Sequence, residues 1–144
     1  MCSVGRLGVC LVITALVAGA AAQSRAGQLR IARFQLPSRN IGCGYLPRSS
    51  SGAASLRCDI LSGLQPAPRR HCMFDWTGLE LAARARARAT CAGDTIYSRG
   101  APILRYGRSW RRGPFTCTSR RTGVTCRSTA GHGFFLARNR WRTY

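Results

Sequence analysis

Lysine is missing from this chain: all 23 basic residues are arginine, set against four acids, Asp59, Asp75, Glu80 and Asp94. Abundant alanine and glycine accompany that choice and fit GC-rich coding bias, so arginine in place of lysine carries little functional weight. The shortage of acids is a different matter, because such a bias does not remove aspartate or glutamate. A formal charge of +19 sets up a positive field around a small protein. That field repels a metal cation from the few carboxylates there are. Histidine is scarce as well, at His71 and His132 alone, and no C-x-x-C pair occurs, so zinc has no ligand set. P-loop, nucleophile-elbow and zinc-protease motifs are absent, and no cofactor is implied. Long apolar runs are lacking too. The run over residues 7–22 falls short of the roughly 20 residues of a membrane-spanning helix.

That run has the character of a signal peptide. Arg6 precedes it, and Ala20-Ala21-Ala22 before Gln23 fits a small-residue cleavage site. The expected organisation is a signal peptide over residues 1–22, a flexible basic leader over 23–33, and one domain over 34–144. The expected location is secreted, extracellular or cell-surface associated, with an uncleaved N-terminal membrane anchor as the alternative. Cleavage takes away Cys2 and Cys10 and leaves Cys43, Cys58, Cys72, Cys91, Cys117 and Cys126. An even set in an exported chain reads as a disulfide framework.

The most informative stretch is Phe115-Thr-Cys117-Thr-Ser-Arg-Arg-Thr-Gly-Val-Thr-Cys126. Phe115 and Cys117 share one face of a strand, as do Val124 and Cys126, because side chains alternate. A four-residue loop, Arg120-Arg121-Thr122-Gly123, built on a type I turn with Gly123 at positive φ, sets Ser119 opposite Val124 and Cys117 opposite Cys126. Directly opposed residues are close enough to bridge. The same apolar-x-Cys pattern recurs at Ile41-x-Cys43 and Leu56-x-Cys58, which suggests a second hairpin of similar design and an internal duplication. Two bridged hairpins leave Cys72 with Cys91. Six cysteines allow about 15 connectivities, and only the hairpin readings choose among them.

Elsewhere short apolar runs alternate with turns. Gln65-Pro66-Ala67-Pro68 breaks the chain, Thr95-Ile96-Tyr97, residues 103–107 and 133–137 read as short strands, and Arg112-Gly113-Pro114 is a turn. Residues 83–90 alternate alanine and arginine, which places Arg84, Arg86 and Arg88 on one side of a strand. The rival is a short helix near 79–90. The fold class expected is all-β, a small disulfide-stapled sandwich, barrel or meander, with α+β as the alternative.

Phe34-x-x-Pro37-Ser38-x-Asn40-Ile41-x-Cys43, Arg57-Cys58-Asp59-Ile60, Cys72-x-x-Asp75-Trp76 and Cys91-Ala-Gly-Asp-Thr95 occur in this order. Ala101-Pro-x-Leu104-x-Tyr106-Gly107, Phe115-Thr-Cys-Thr118, Gly123-Val-Thr-Cys126 and Gly131-His-Gly-Phe134 follow. The set resembles a family of small exported actinobacterial proteins built on one domain of unknown function, over nearly everything from residue 34 on. Arg39 departs from it, standing where a small residue such as glycine is more usual, and the Ala-Arg alternation looks local to this sequence. The resemblance implies a secreted, cysteine-stapled domain and no particular activity.

Two kinds of chemistry remain. His132 between two glycines is open to close approach, and with Asp94, Glu80 or Asp75 it would suit a secreted hydrolase or nuclease. No second acid or base is placed near it by sequence, and Asp94 is most simply a turn former, so no catalytic residue is assigned. The arginines are the other candidate. Arg84, Arg86, Arg88, Arg105, Arg108, Arg111, Arg112, Arg120, Arg121, Arg138, Arg140 and Arg142 form basic islands, with Trp110, Trp141 and Tyr144 among the later ones. Such a surface grips phosphates and stacks on bases or sugars, or merely keeps the protein soluble. The leading expectation is a non-enzymatic cationic module for anionic polymers, either nucleic acid or acidic cell-wall glycopolymer. A protein-binding or inhibitor domain is the third.

Overall fold

The computed structural model describes residues 32–49 and 52–144. The signal peptide and most of the basic leader therefore lie outside the described residues. Ten strands follow one another: β1 (Ala32–Gln35), β2 (Ile41–Leu46), β3 (Ser55–Ile60), β4 (Asp75–Ala82), β5 (Arg88–Ala92), β6 (Ser109–Arg112), β7 (Phe115–Arg120), β8 (Gly123–Ser128), β9 (Gly133–Ala137) and β10 (Arg140–Thr143). They form two antiparallel five-stranded meanders, β1-β2-β3-β4-β5 and β10-β9-β8-β7-β6. The fold is all-β, with no helix among the described residues and hence none able to cross a membrane.

β7 buries alternate residues, β2 and β3 are buried on both faces over much of their length, and the inward sets of both sheets make one core. Phe115, Phe134, Leu36, Leu56, Leu64, Leu79, Leu81 and Leu136 are its largest fully buried members. Burying each such side chain is worth about 1.5–3 kcal/mol. The bridges are Cys43–Cys58 across β2 and β3, Cys117–Cys126 across β7 and β8, and Cys72–Cys91, which ties the loop before β4 to β5. The β7–β8 pairing runs Cys117 to Cys126, Thr118 to Thr125 and Ser119 to Val124, and one step further to Arg120 and Gly123. Gly123 has φ +139°, while Arg121 and Thr122 are not among the positive-φ residues. A primed turn is therefore not used, and the glycine closes the hairpin.

The duplication extends well beyond the hairpins. In the first sheet Phe34, Cys43, Cys58, Leu79 and Ala89 lie in one cross-strand row. In the second, Trp110, Cys117, Cys126, Phe134 and Thr143 do the same. The rows meet in the core, with the rings of Phe34 and Trp110 5.0 Å apart and Sγ of Cys58 3.9 Å from Sγ of Cys126. Both sulfurs belong to disulfides, so their approach is a packing contact and no thiolate is offered to a metal. Gly78 and Gly133 occupy the same place in the two repeats. Each pairs with the residue after a core cysteine, and a Cβ on either would collide with that cysteine's carbonyl oxygen.

Several expectations are corrected. The strand expected over residues 83–90 forms only at its end, where Arg88 to Thr90 open β5, and the rival helix does not form: β4 carries Leu79 and Leu81 inward with Glu80 between them, and residues 83–87 are the connection to β5. Both leucines are fully buried, which a period of two allows and a helical period does not. Thr95-Ile96-Tyr97 and residues 103–107 form no strand, although Ile103 makes one isolated bridge to Gln35. Ala32 and Arg33, assigned to the leader, belong to β1.

Candidate functional site

The segment between β5 and β6 lies across the outer face of the first sheet and is fastened there by buried polar groups. Asp59 is 2% exposed and occupies the middle of that face. Its Oδ2 accepts from the Ile96 backbone N–H at 2.8 Å and from Thr95 Oγ1 at 3.0 Å. Its Oδ1 accepts from Arg57 Nε at 2.9 Å and from Thr77 Oγ1 at 3.3 Å. Gln35 grips the far end of the segment: Nε2 donates to the carbonyls of Arg99 and Ala101, both at 2.8 Å, and Oε1 accepts from the Tyr97 hydroxyl. Tyr97 lies over Gly42, where a Cβ would come within 2.6 Å of its ring. A buried carboxylate with four donors is structurally committed. Sequence reading missed it, although Arg57-Cys58-Asp59 was in view.

Arg57 continues the network by donating to Asp94 Oδ1 at 2.9 Å and to the Asp94 carbonyl at 2.8 Å. Partial burial by itself would lower the Arg57 pKa, but its hydrogen bonds to Asp59 and Asp94 and their charges raise it overall. The same hydrogen bond, with the guanidinium charge, holds the Asp94 carboxyl below the usual carboxylate range. Asp94 thus clamps the strap to the sheet. Glu80 pairs with Arg88 at 3.0 Å. His132 is half-buried on the β8–β9 connection, where its carbonyl accepts from Ser128 N–H. No hydrogen bond or ion pair joins it to Asp94, Glu80 or Asp75 among the described residues. A recess of about 660 Å³ lies elsewhere, lined by Arg70, His71, Asp75 and Trp76 beside the Cys72–Cys91 bridge.

Among the described residues, the outer face of the second sheet has no strap. Its cross-strand rows are Ser109, Thr118, Thr125, Phe135 and Arg142, and beside them Arg111, Thr116, Arg127 and Gly133. A third runs from Arg120 through Gly123. Tyr144 extends the second row through paired backbone hydrogen bonds with Gly133. Arg111, Arg120, Arg127, Arg140 and Arg142 are exposed. The guanidinium of Arg140 lies 5.3 Å from the centre of the Phe135 ring, that of Arg142 5.8 Å, and that of Arg127 5.1 Å from the Tyr144 ring. Such contacts hold the arginines upright without neutralising them. All four acids lie between positions 59 and 94, and none follows. Arg127 stands at the second-sheet position that corresponds to Asp59 in the first.

The basic islands therefore separate. Arg111 and Arg120 share this face, whereas Arg112 pairs with Phe115 on the inward-facing row at the sheet edge. Arg121 sits at the β7–β8 tip, its guanidinium 5.3 Å from the Tyr106 ring centre. Arg84 and Arg86 are exposed on the β4–β5 connection of the other sheet, and Arg88 is engaged by Glu80. Sequence reading put its weight on Arg84, Arg86 and Arg88, counted Arg140 and Arg142 among the basic islands, and passed over Arg127. The available signal was the absence of any acid after Asp94.

Two five-stranded meanders fused by a common core, stapled by three disulfides and basic on one open face, define a class of small all-β proteins. The chain belongs to a family of unknown function, DUF6636, which matches residues 10–144. Comparisons with curated proteins and with solved structures find no match.

Proposed function

We propose that this protein is an exported, non-enzymatic module that binds phosphate-bearing anionic polymers on the outer face of β6–β10. The carrying observation is the asymmetry between two equivalent faces. One is covered by the chain and has Asp59 at its centre; the other is open, acid-free and has Arg127 there. Hydroxyls of Ser109, Thr116, Thr118 and Thr125 between the arginines offer neutral partners for phosphate or sugar oxygens. The Phe135 ring is engaged by two guanidiniums, which favours recognition of charge and hydroxyl over stacking of bases. A polyol-phosphate polymer of the cell-wall type therefore suits the face better than nucleic acid does.

The test is a titration of the mature domain with poly(glycerol phosphate) and, separately, with single-stranded DNA across a range of salt. On single-stranded DNA the log–log slope is expected at about −0.7 per phosphate neutralised. Replacing Arg111, Arg127 and Arg142 by Ser should flatten that slope by about two to three contacts' worth. Replacing Arg84 and Arg86 by Ser should change it much less. No binding at low ionic strength, or equal effects of the two variants, overturns the reading.

A further inference from the structure

Three hairpin tips converge at one end of the two sheets: residues 36–41 between β1 and β2, 120–123 between β7 and β8, and 137–140 between β9 and β10. Together they line a recess of about 250 Å³. Its apolar contributors are Leu36, Ile41, Gly123 and Ala137, all buried. Its polar contributors include Arg120, Arg121, Arg138, Asn40 and Asn139, and no acid lines it. Arg121 is held against Tyr106, which also lines the recess. Arg120 belongs at the same time to the open face of the second sheet, so the two surfaces are continuous.

We infer that this recess is a discrete site for a single phosphate group carrying a short polyol. Three guanidiniums supply charge-assisted donors in a fork geometry suited to phosphate oxygens, while two amides can meet hydroxyls. The recess has room for a phosphate with a short polyol, and its one aromatic ring, Tyr106, is already engaged by Arg121, which leaves no free face for a base to stack on. The inference rests on the polymer-binding reading for its ligand class, and gives the open face an end at which one unit is held individually.

The experiment is an amide-resolved NMR titration of the disulfide-intact mature domain with glycerol 3-phosphate at moderate salt, with inorganic phosphate, neutral glycerol and adenosine monophosphate as further arms. Saturable shifts are expected at Arg121, Thr122, Arg138 and Asn139, stronger for glycerol 3-phosphate than for adenosine monophosphate and absent with glycerol. The double variant Arg121→Ser, Arg138→Ser should weaken this binding at least tenfold. The triple Ser variant of Arg111, Arg127 and Arg142 should leave it nearly unchanged. Amide spectra of both variants verify the fold, and Arg138→Lys, which keeps the charge but loses the fork, should weaken binding less than Arg138→Ser. Shifts spread evenly over all the arginines, no saturation, or no effect of the recess variant would overturn the site. Polymer binding that persists while the monomer fails refutes the recess alone; loss of polymer binding with the monomer retained refutes the face alone.

Discussion

Adding one methyl group at Gly78 should destabilise the protein more than adding the same group at Gly133, although both lie at equivalent points of the repeat. Neither glycine needs a positive φ, so the effect of alanine is steric. At Gly133 the new Cβ would fall 2.5 Å from the Cys126 carbonyl oxygen and 2.7 Å from the Tyr144 ring. The half-buried ring can swing aside; the carbonyl must move with its strand. Overpacking of this kind costs about 1–3 kcal/mol. At Gly78 the Cβ would overlap the Cys58 carbonyl oxygen and lie 2.7 Å from Asp59 Cα and 2.8 Å from Asp59 Oδ1. Relief there shifts the buried carboxylate away from its four donors. Hydrogen bonds to charged groups are worth about 1.5–3 kcal/mol each, so losing one raises the total to about 3–6 kcal/mol. Urea unfolding with the disulfides intact measures both variants, and a shifted midpoint at unchanged slope reports stability. Gly78→Ala at wild-type stability, or less damaged than Gly133→Ala, would refute the claim that Asp59 is the fixed point of the first sheet.

Gly123→Val should weaken the β7–β8 hairpin by about 3 kcal/mol or more, combining a positive φ of +139° with a Cβ only 3.0 Å from Phe135 and Ala137; unchanged denaturant stability would mean the turn is built otherwise. Arg39 adopts φ +53°, so Arg39→Gly should raise stability by about 1 kcal/mol, the strain relieved exceeding the added unfolded-state entropy; a lower unfolding midpoint would show that the arginine side chain contributes. Asp94→Asn should lower stability slightly at neutral pH. Because the Asp94 carboxyl is held below its ordinary range, its contribution is present above the unfolded value and disappears as pH falls through the folded one. The gap between variant and wild type should therefore close in acid, as followed by thermal unfolding across pH; a gap that persists there points to lost packing.

The β7–β8 hairpin was legible because four inward residues alternate around a turn that requires a glycine, and that constraint fixes the register. β6 and β10 were not. Ser109-Trp-Arg-Arg112 and Arg140-Trp-Arg-Thr143 are edge strands with one large apolar residue each, and an edge needs too little burial to leave a pattern. Thr95-Ile96-Tyr97 misled for the opposite reason. β-Branched and aromatic residues fit a pleated surface, and here they lie over one, with Ile96 donating its N–H to the Asp59 carboxylate instead of a neighbouring strand. Alternation of alanine and arginine over residues 83–90 looked like structure, but only Ala87 is buried deeply enough to anchor the connection.

The open face was illegible for a more general reason. A sheet face becomes a candidate site when nothing covers it, and coverage depends on where a connection of irregular structure lies. In this fold the long link between the repeats crosses one sheet, and three of the four acids are engaged on that sheet: Asp59 under the strap, Asp94 at its start, and Glu80 on β4, paired to Arg88. Those carboxylates neutralise arginines of the first sheet by direct contact. No such link crosses the outer face of the second sheet among the described residues, and its arginines lean on Phe135 and Tyr144, which carry no charge. A duplicated scaffold has thereby divided its work. One half spends its outer face on holding the molecule together, and the other leaves hydroxyls and guanidiniums sharing one surface with no acid among them.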